Sequence, residues 1–125
     1  MSRRVLVTGG AKGVGAAIVR ALAESGHDVD FTYRSSADAA LALGEELQGT
    51  YPSQKITTHS VDLAEKGSLD IFCEAIEKEN FFGLVHNAGQ SYDALAAMMA
   101  QDKAEAAMQV NFWSLTRIAK ALLRG

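Results

Sequence analysis

A short apolar run, Val5-Leu6-Val7, passes directly into Thr8-Gly9-Gly10-Ala11-Lys12-Gly13-Val14-Gly15, and a helical pattern starts straight after it. A buried-type strand, a glycine turn and a helix start in succession bring backbone N–H groups and the positive end of a helix dipole to one point. That arrangement suits a phosphate. The glycines divide the work. One allows the tight turn at the strand end, one lets backbone approach a pyrophosphate, and one lets helix and strand pack closely. With 11 glycines in the chain a chance match is easy. The position between strand and helix therefore carries the argument against plain turn and packing glycines.

The rest of the chain alternates in the same rhythm. Apolar runs at 4–8, 29–33, 56–61 and 82–86 read as strands. Helical periodicity occupies 13–25, 37–47, 67–79, 92–100 and 102–124. In the first helix Val14, Ala17, Ile18, Ala21 and Leu22 fall at i, i+3, i+4, i+7 and i+8, which predicts the buried face, and Gly26 is placed to end it. In the third, Leu69, Phe72, Cys73 and Ile76 do the same. Gly49-Thr50-Tyr51-Pro52-Ser53 is the clearest loop. Strands alternating with helices imply right-handed crossovers and a parallel sheet covered on both faces: a Rossmann-type three-layer α/β/α fold, strand order 3-2-1-4. In the last helix, Val110, Phe112, Trp113, Leu115, Ile118, Ala119, Leu122 and Leu123 cover more than one face, so burial on two sides is expected.

The totals narrow the function classes. The chain has 125 residues, 48% apolar and 22% charged, which is one ordinary globular domain. A net charge of −3 offers no basic face for nucleic acid. Cys73 has no second cysteine to pair with, and its apolar neighbours make it a buried thiol. No apolar segment reaches membrane-spanning length, and Met1-Ser2-Arg3-Arg4 opens no secretory signal; the arginines read as the polar lead-in to the first strand. A cytoplasmic setting is the expectation. His27, His59 and His86 show neither metal spacing nor a paired carboxylate pattern; all three read as structural, and no metal site is expected.

In a dinucleotide fold the ribose is read at the end of the second strand, roughly 20 residues beyond the glycines. Here that strand ends Phe31-Thr32-Tyr33-Arg34-Ser35-Ser36. Asp28 and Asp30 come too early to meet a ribose. Arg34 stands in the right place for a 2′-phosphate, and Lys12 adds a second cation inside the glycine loop. NADP(H) is favoured over NAD on these two residues; the plainer alternative is a pair of solvated loop charges. A flavodoxin-like FMN binder fits the glycine loop and Arg34 less well.

Thr8-Gly9-x-x-x-Gly13-x-Gly15 resembles the cofactor-loop signature of the short-chain dehydrogenases/reductases. Three later segments match in order. Val61-Asp62-Leu63 resembles the family's adenine-contacting segment, which favours an adenine contact for Asp62 over the alternative of a cap on the next element. His86-Asn87-Ala88-Gly89 resembles its Asn-Asn-Ala-Gly motif, with histidine in place of the first asparagine. Asn111 resembles the helix asparagine that positions a water in the proton relay, against the alternative of a helix kink or a satisfied core amide. Tyr33-Arg34-Ser35-Ser36 and Asn87-Ala88-Gly89-x-x-x-Asp93-x-Leu95-x-x-Met98 look most like the 3-ketoacyl-acyl-carrier-protein reductases.

The resemblance implies hydride transfer between NADPH and a carbonyl on a small molecule or an acyl carrier. The cofactor-binding set would be Gly9, Lys12, Gly13, Val14, Gly15, Tyr33, Arg34, Ser35, Asp62, Leu63, Asn87, Ala88 and Gly89, with Asn111 on the catalytic side. The family's serine and its Tyr-x-x-x-Lys helix have no counterpart in 1–125. Tyr51-Pro52-Ser53-Gln54-Lys55 matches the spacing only by coincidence, because it sits in a proline loop. Residues 1–125 are thus expected to form an incomplete NAD(P)-binding Rossmann domain, inactive alone. They would pair as a homo-oligomer through the last helix, or, as the competing non-catalytic reading, self-associate through an open sheet edge.

Overall fold

The computed structural model describes residues 3–88 and 109–124. Strands β1 (Arg4–Thr8), β2 (Asp28–Tyr33), β3 (Ile56–Ser60) and β4 (Gly83–His86) form one parallel sheet in the order β3-β2-β1-β4. Between them run α1 (Gly13–Glu24), α2 (Ala37–Thr50) and α3 (Lys66–Glu77). A π-helical turn, Gln109–Trp113, leads into α4 (Ser114–Arg124). The expected helix at 92–100 and the first part of that at 102–124 lie outside the described residues, as does Gly89.

The layering follows from the strand pattern. Successive side chains of β1 point to opposite faces. Val5 and Val7 join Val29, Phe31, Val19, Ala23, Ala40, Leu43 and Leu47 under α1 and α2. Leu6, between them, joins Leu69, Phe72, Cys73, Ile76, Val110, Ile118 and Ala121 under α3 and α4. Both faces are apolar because both are covered, which is the condition a parallel sheet requires. Burial also pushes the Cys73 thiol up, so it is an inert core group.

Local signals set the helix ends. Gly26, at φ +93°, follows the last turn of α1. The His27 N–H bonds to the Leu22 carbonyl and the Gly26 N–H to that of Ala23, which is the paired Schellman closure. The Glu65 carboxylate accepts from the N–H groups of Gly67 and Ser68 and so starts α3. α2 runs to Thr50, so Gly49 and Thr50 are helical and the loop begins only at Tyr51.

Three expectations are corrected. The buried line of α1 is Gly15, Val19 and Ala23, with Val14 70% exposed. The reason is steric: Gly15 must lie against the Gly9 turn, which rotates the helix by one position from its most apolar face. The second concerns Arg4, Asp30 and His59. Arg4 does not merely lead into β1; its guanidinium takes the buried Asp30 carboxylate in two hydrogen bonds, Nε at 2.7 Å and Nη2 at 2.8 Å. His59 Nε2 stands 2.7 Å from Asp30 Oδ2, the oxygen that also accepts from Arg4 Nη2, and this is the partner that its spacing in sequence did not reveal. Burial alone would push Asp30 up, but the bonds from His59 and Arg4 and their charges outweigh it, and the carboxyl lies below its ordinary range. The last helix differs as well. Ile118 and Ala121 are fully buried against α3 and the sheet, whereas Trp113 and Leu123 are 53% and 87% exposed. Among the described residues no helix is long and apolar enough to cross a membrane.

Candidate functional site

All four strands run in one direction, so their C-terminal ends gather Thr8 and Gly9, Tyr33 and Arg34, Val61 and Asp62, and His86 and Asn87 along one edge. The point between β1 and β4 is where chain order reverses, the usual ligand position in open α/β sheets.

The glycine loop is built for close approach. Gly9 takes φ +69°, and its N–H donates to Thr32 Oγ1 at 3.1 Å while the Gly10 N–H donates to the Thr32 carbonyl at 3.0 Å. A Cβ on Gly15 would overlap the Gly9 carbonyl oxygen and stand 2.6 Å from Asn87 Nδ2. Gly15 therefore lets α1 begin directly against the turn. Lys12 is the N-cap residue, with extended backbone and no side chain capping the helix, and the first turn carries no acidic residue. The orphan N–H groups there and the positive dipole end are left for an external anion.

Beside this loop lies a cleft of about 200 Å³ lined by Lys12, Tyr33, Arg34, Ser35 and Ser36. The structure thus brings together the two cations that sequence spacing singled out. A second cavity, of about 220 Å³, continues from Thr32 and Arg34 past Val61, Asp62 and Leu63 to Ala88 and Val110. Arg34 Nε stands 4.0 Å from Asp62 Oδ1, both side chains being substantially exposed, so the pair adds little stability. Asp62 Oδ1 also accepts from the Ala64 N–H at 3.0 Å. The aspartate therefore shapes the turn into α3 while its carboxylate still borders the cavity. Val14 lies exposed at the mouth of the helix.

At the end of β4, Asn87 Nδ2 donates to the Gly9 carbonyl at 3.0 Å, tying two strand ends together. The Ala88 N–H donates to Thr8 Oγ1 at 3.1 Å, and the same hydroxyl stands 2.9 Å from His86 Nδ1. His86 Nε2 lies 3.2 Å from the Val110 carbonyl. A carbonyl only accepts, so Nε2 carries the proton and Nδ1 receives that of Thr8. Burial pushes the His86 imidazole below its ordinary range against the opposing effect of the Val110 carbonyl, in keeping with this neutral form. The backbone of Asn111 belongs to the π-helical turn next to Val110; its side chain lies outside what the structure describes. Among the described residues no group of three or more His, Cys, Asp or Glu could hold a metal ion.

Sequence reasoning missed Thr8, Thr32 and His86 as the polar joints of the site. One signal was present: Thr8 and Thr32 are hydroxyl residues at or next to the C-terminal ends of their strands, and both prove fully or almost fully buried.

Comparison with known proteins adds independent findings. The family model for short chain dehydrogenase matches residues 3–125. The chain is 32% identical over 126 residues to the 3-oxoacyl-(acyl-carrier-protein) reductase MabA of Mycobacterium tuberculosis, covering 99% of this chain and 45% of that protein. It is 31% identical to an acetoacetyl-CoA reductase of Paracoccus denitrificans, covering 100% of this chain and 50% of the relative. A crystal structure of a short chain dehydrogenase from Burkholderia cenocepacia in complex with NADP superposes with a TM-score of 0.88 at 28% identity, over 98% of this chain and 50% of that one. The chain spans about half the length of the curated relatives it matches.

Proposed function

The chain belongs to the short chain dehydrogenase family, and from that premise we propose that it forms the dinucleotide-binding part of an NADP(H)-dependent oxidoreductase acting on a carbonyl, with 3-oxoacyl thioesters as the substrate class. The observation that carries the coenzyme assignment is the joining of two features at one strand edge. An uncapped helix start behind a left-handed glycine turn opens beside a cleft that holds both Lys12 and Arg34. The residues fit the group: Gly9, Gly13, Val14 and Gly15 leave backbone open to a diphosphate, and Lys12, Arg34 and Ser35, with Tyr33 beside them, would hold a 2′-phosphate. Asp62 and Leu63 would flank the adenine, with Asn87, Ala88 and Gly89 beneath the ribose.

When bound, the reduced dinucleotide supplies the reducing equivalents. The chain's own residues bind and orient. The Gly9 turn, held by Asn87 and Thr32, keeps the diphosphate end in place, and the cations set the coenzyme form. Asn111 is the residue on the proton path, holding a relay water. The family's tyrosine, lysine and serine, which donate the proton, tune it and orient the carbonyl, lie beyond the segment that 1–125 matches. These residues by themselves are therefore proposed to bind dinucleotide weakly without turnover. The cytoplasm is the proposed compartment.

The exposed Leu123 on α4, with the half-exposed Trp113 at the end of the turn before it, favours a second copy of the chain as the cover for that helix. The competing reading, association through β4, uses a strand that pairs on one side only among the described residues. Sedimentation of Leu123→Glu separates them: dissociation supports the helix contact, and an unchanged oligomer overturns it.

The function is tested by NADPH oxidation in the presence of an acetoacetyl thioester, using the full-length protein. Turnover with NADPH preferred over NADH is the expected result. Retention of neither coenzyme, or equal use of both, overturns the coenzyme assignment; binding without turnover overturns the substrate class.

A further inference from the structure

Four groups form a continuous line through the sheet at the point where chain order reverses. Thr8 and His86 are register partners at the ends of β1 and β4. The Thr8 hydroxyl donates to His86 Nδ1 and accepts from the Ala88 N–H, so it joins the two ends. On the other side, His86 Nε2 donates to the Val110 carbonyl, which also accepts from the buried Ser114 Oγ at 2.6 Å. Val110 precedes Asn111 within the π-helical turn.

A wider turn of this kind departs from the regular α-helical ladder. Here two side-chain donors meet on one of its carbonyls. The imidazole is rigid and two-ended, and its two nitrogens have opposite roles set by their partners, one accepting and one donating. The family motif carries asparagine at this position, whose side chain ends about where Nδ1 stands and so falls short of the place that Nε2 occupies.

We propose that His86 is a positioning residue: its imidazole fastens the turn that carries Asn111 to the strand end that carries the glycine loop, and so sets the distance between the coenzyme and the proton path. This deepens the reading of Asn111 given above and rests on it for its catalytic consequence. The fastening itself rests only on Thr8, His86, Val110 and Ser114. Displacements of an ångström at a reacting centre cost up to about a hundredfold in rate, so a loosened turn is expected to act on kcat rather than on coenzyme affinity.

The test uses the full-length protein loaded with NADPH. In His86→Asn, a residue that the family motif shows the strand accepts, amide hydrogen exchange across 109–113 rises by about tenfold or more, because the turn opens locally without global unfolding. In the same variant kcat for an acetoacetyl thioester falls about three- to tenfold, while the NADPH dissociation constant stays within about twofold. His86→Gln, whose amide reaches towards the Val110 carbonyl, recovers exchange protection and kcat together. Unchanged exchange in His86→Asn overturns the proposal, as does a loss that appears in NADPH affinity alone or one that glutamine fails to rescue. Asn111→Ala separates the two readings. If it leaves kcat intact, the proton-path role of Asn111 falls, and the fastening is then judged on hydrogen exchange alone, where a rise in His86→Asn supports it and no rise overturns it.

Discussion

The side-chain amide of Asn87 donates to the carbonyl oxygen of Gly9 across 3.0 Å, joining two strand ends that are 78 positions apart in sequence. Through that bond β4 holds the turn that follows β1, and Gly15 packs against both partners. Replacing Asn87 with alanine removes the donor and frees the turn. The expected result is a stability loss of about 1 kcal/mol, read by urea unfolding, and a several-fold weaker NADPH complex, read by fluorescence titration.

Gly15→Ala and Gly13→Ala should separate two uses of glycine. At Gly15 the added methyl group meets the Gly9 carbonyl and Asn87, neither of which can move without breaking the bond between them. A loss of about 1–3 kcal/mol is expected from this overpacking. At Gly13 nothing lies within 4 Å, and only the φ of +57° opposes a side chain. The cost there is about 1 kcal/mol of backbone strain. Equal losses at the two positions would contradict this account.

Arg34→Ala should lower NADPH affinity by about ten- to a hundredfold while leaving NADH unaffected, since a charge-assisted contact to a 2′-phosphate is lost and nothing else is. Titration calorimetry with the two coenzymes measures it directly. An unchanged preference would remove Arg34 from the site and return it to the surface charges.

The Arg4–Asp30–His59 cluster makes a stability prediction that depends on pH. The Asp30 carboxyl is held below its ordinary value of 3.8 in the folded chain. Its contribution is therefore present above that value and lost as pH falls through the folded one. Asp30→Asn should remove this acid-side dependence from denaturant midpoints measured across the range. Arg4→Met, which leaves the buried carboxylate without its guanidinium, should cost about 3–5 kcal/mol at neutral pH.

His86 predicts a second pH effect of the same sign. Its folded value lies below the ordinary 6.5, so the unfolded chain takes up the proton first. Stability should be fully present above about pH 6.5 and decline as pH falls towards the folded value. In His86→Gln that decline should disappear, and unfolding curves between neutral and mildly acid pH check it.

How much of this was legible beforehand depends on how local each signal is. The strand order, the glycine loop and the meeting of Lys12 with Arg34 follow from patterns a few residues long. Apolar runs and helical periodicity report which groups must leave water, and parallel crossovers then bring strand ends to one edge. The rotation of α1 was not legible. Its most apolar line contains Val14 and Ile18, yet the helix turns Gly15, Val19 and Ala23 inward because close approach to Gly9 outweighs the exposure of Val14.

Nor could spacing show that Asp30 faces both Arg4 and His59, or that Thr8 and His86 share a hydrogen bond that extends to Val110. The architecture and the chemical character of the strand edge are written in the order of residues, because backbone geometry and apolar periodicity act over neighbouring positions. Which polar groups meet inside it is settled by the packed fold. Buried donors and acceptors must be matched one to one, and the partners come from strands that the chain order leaves far apart.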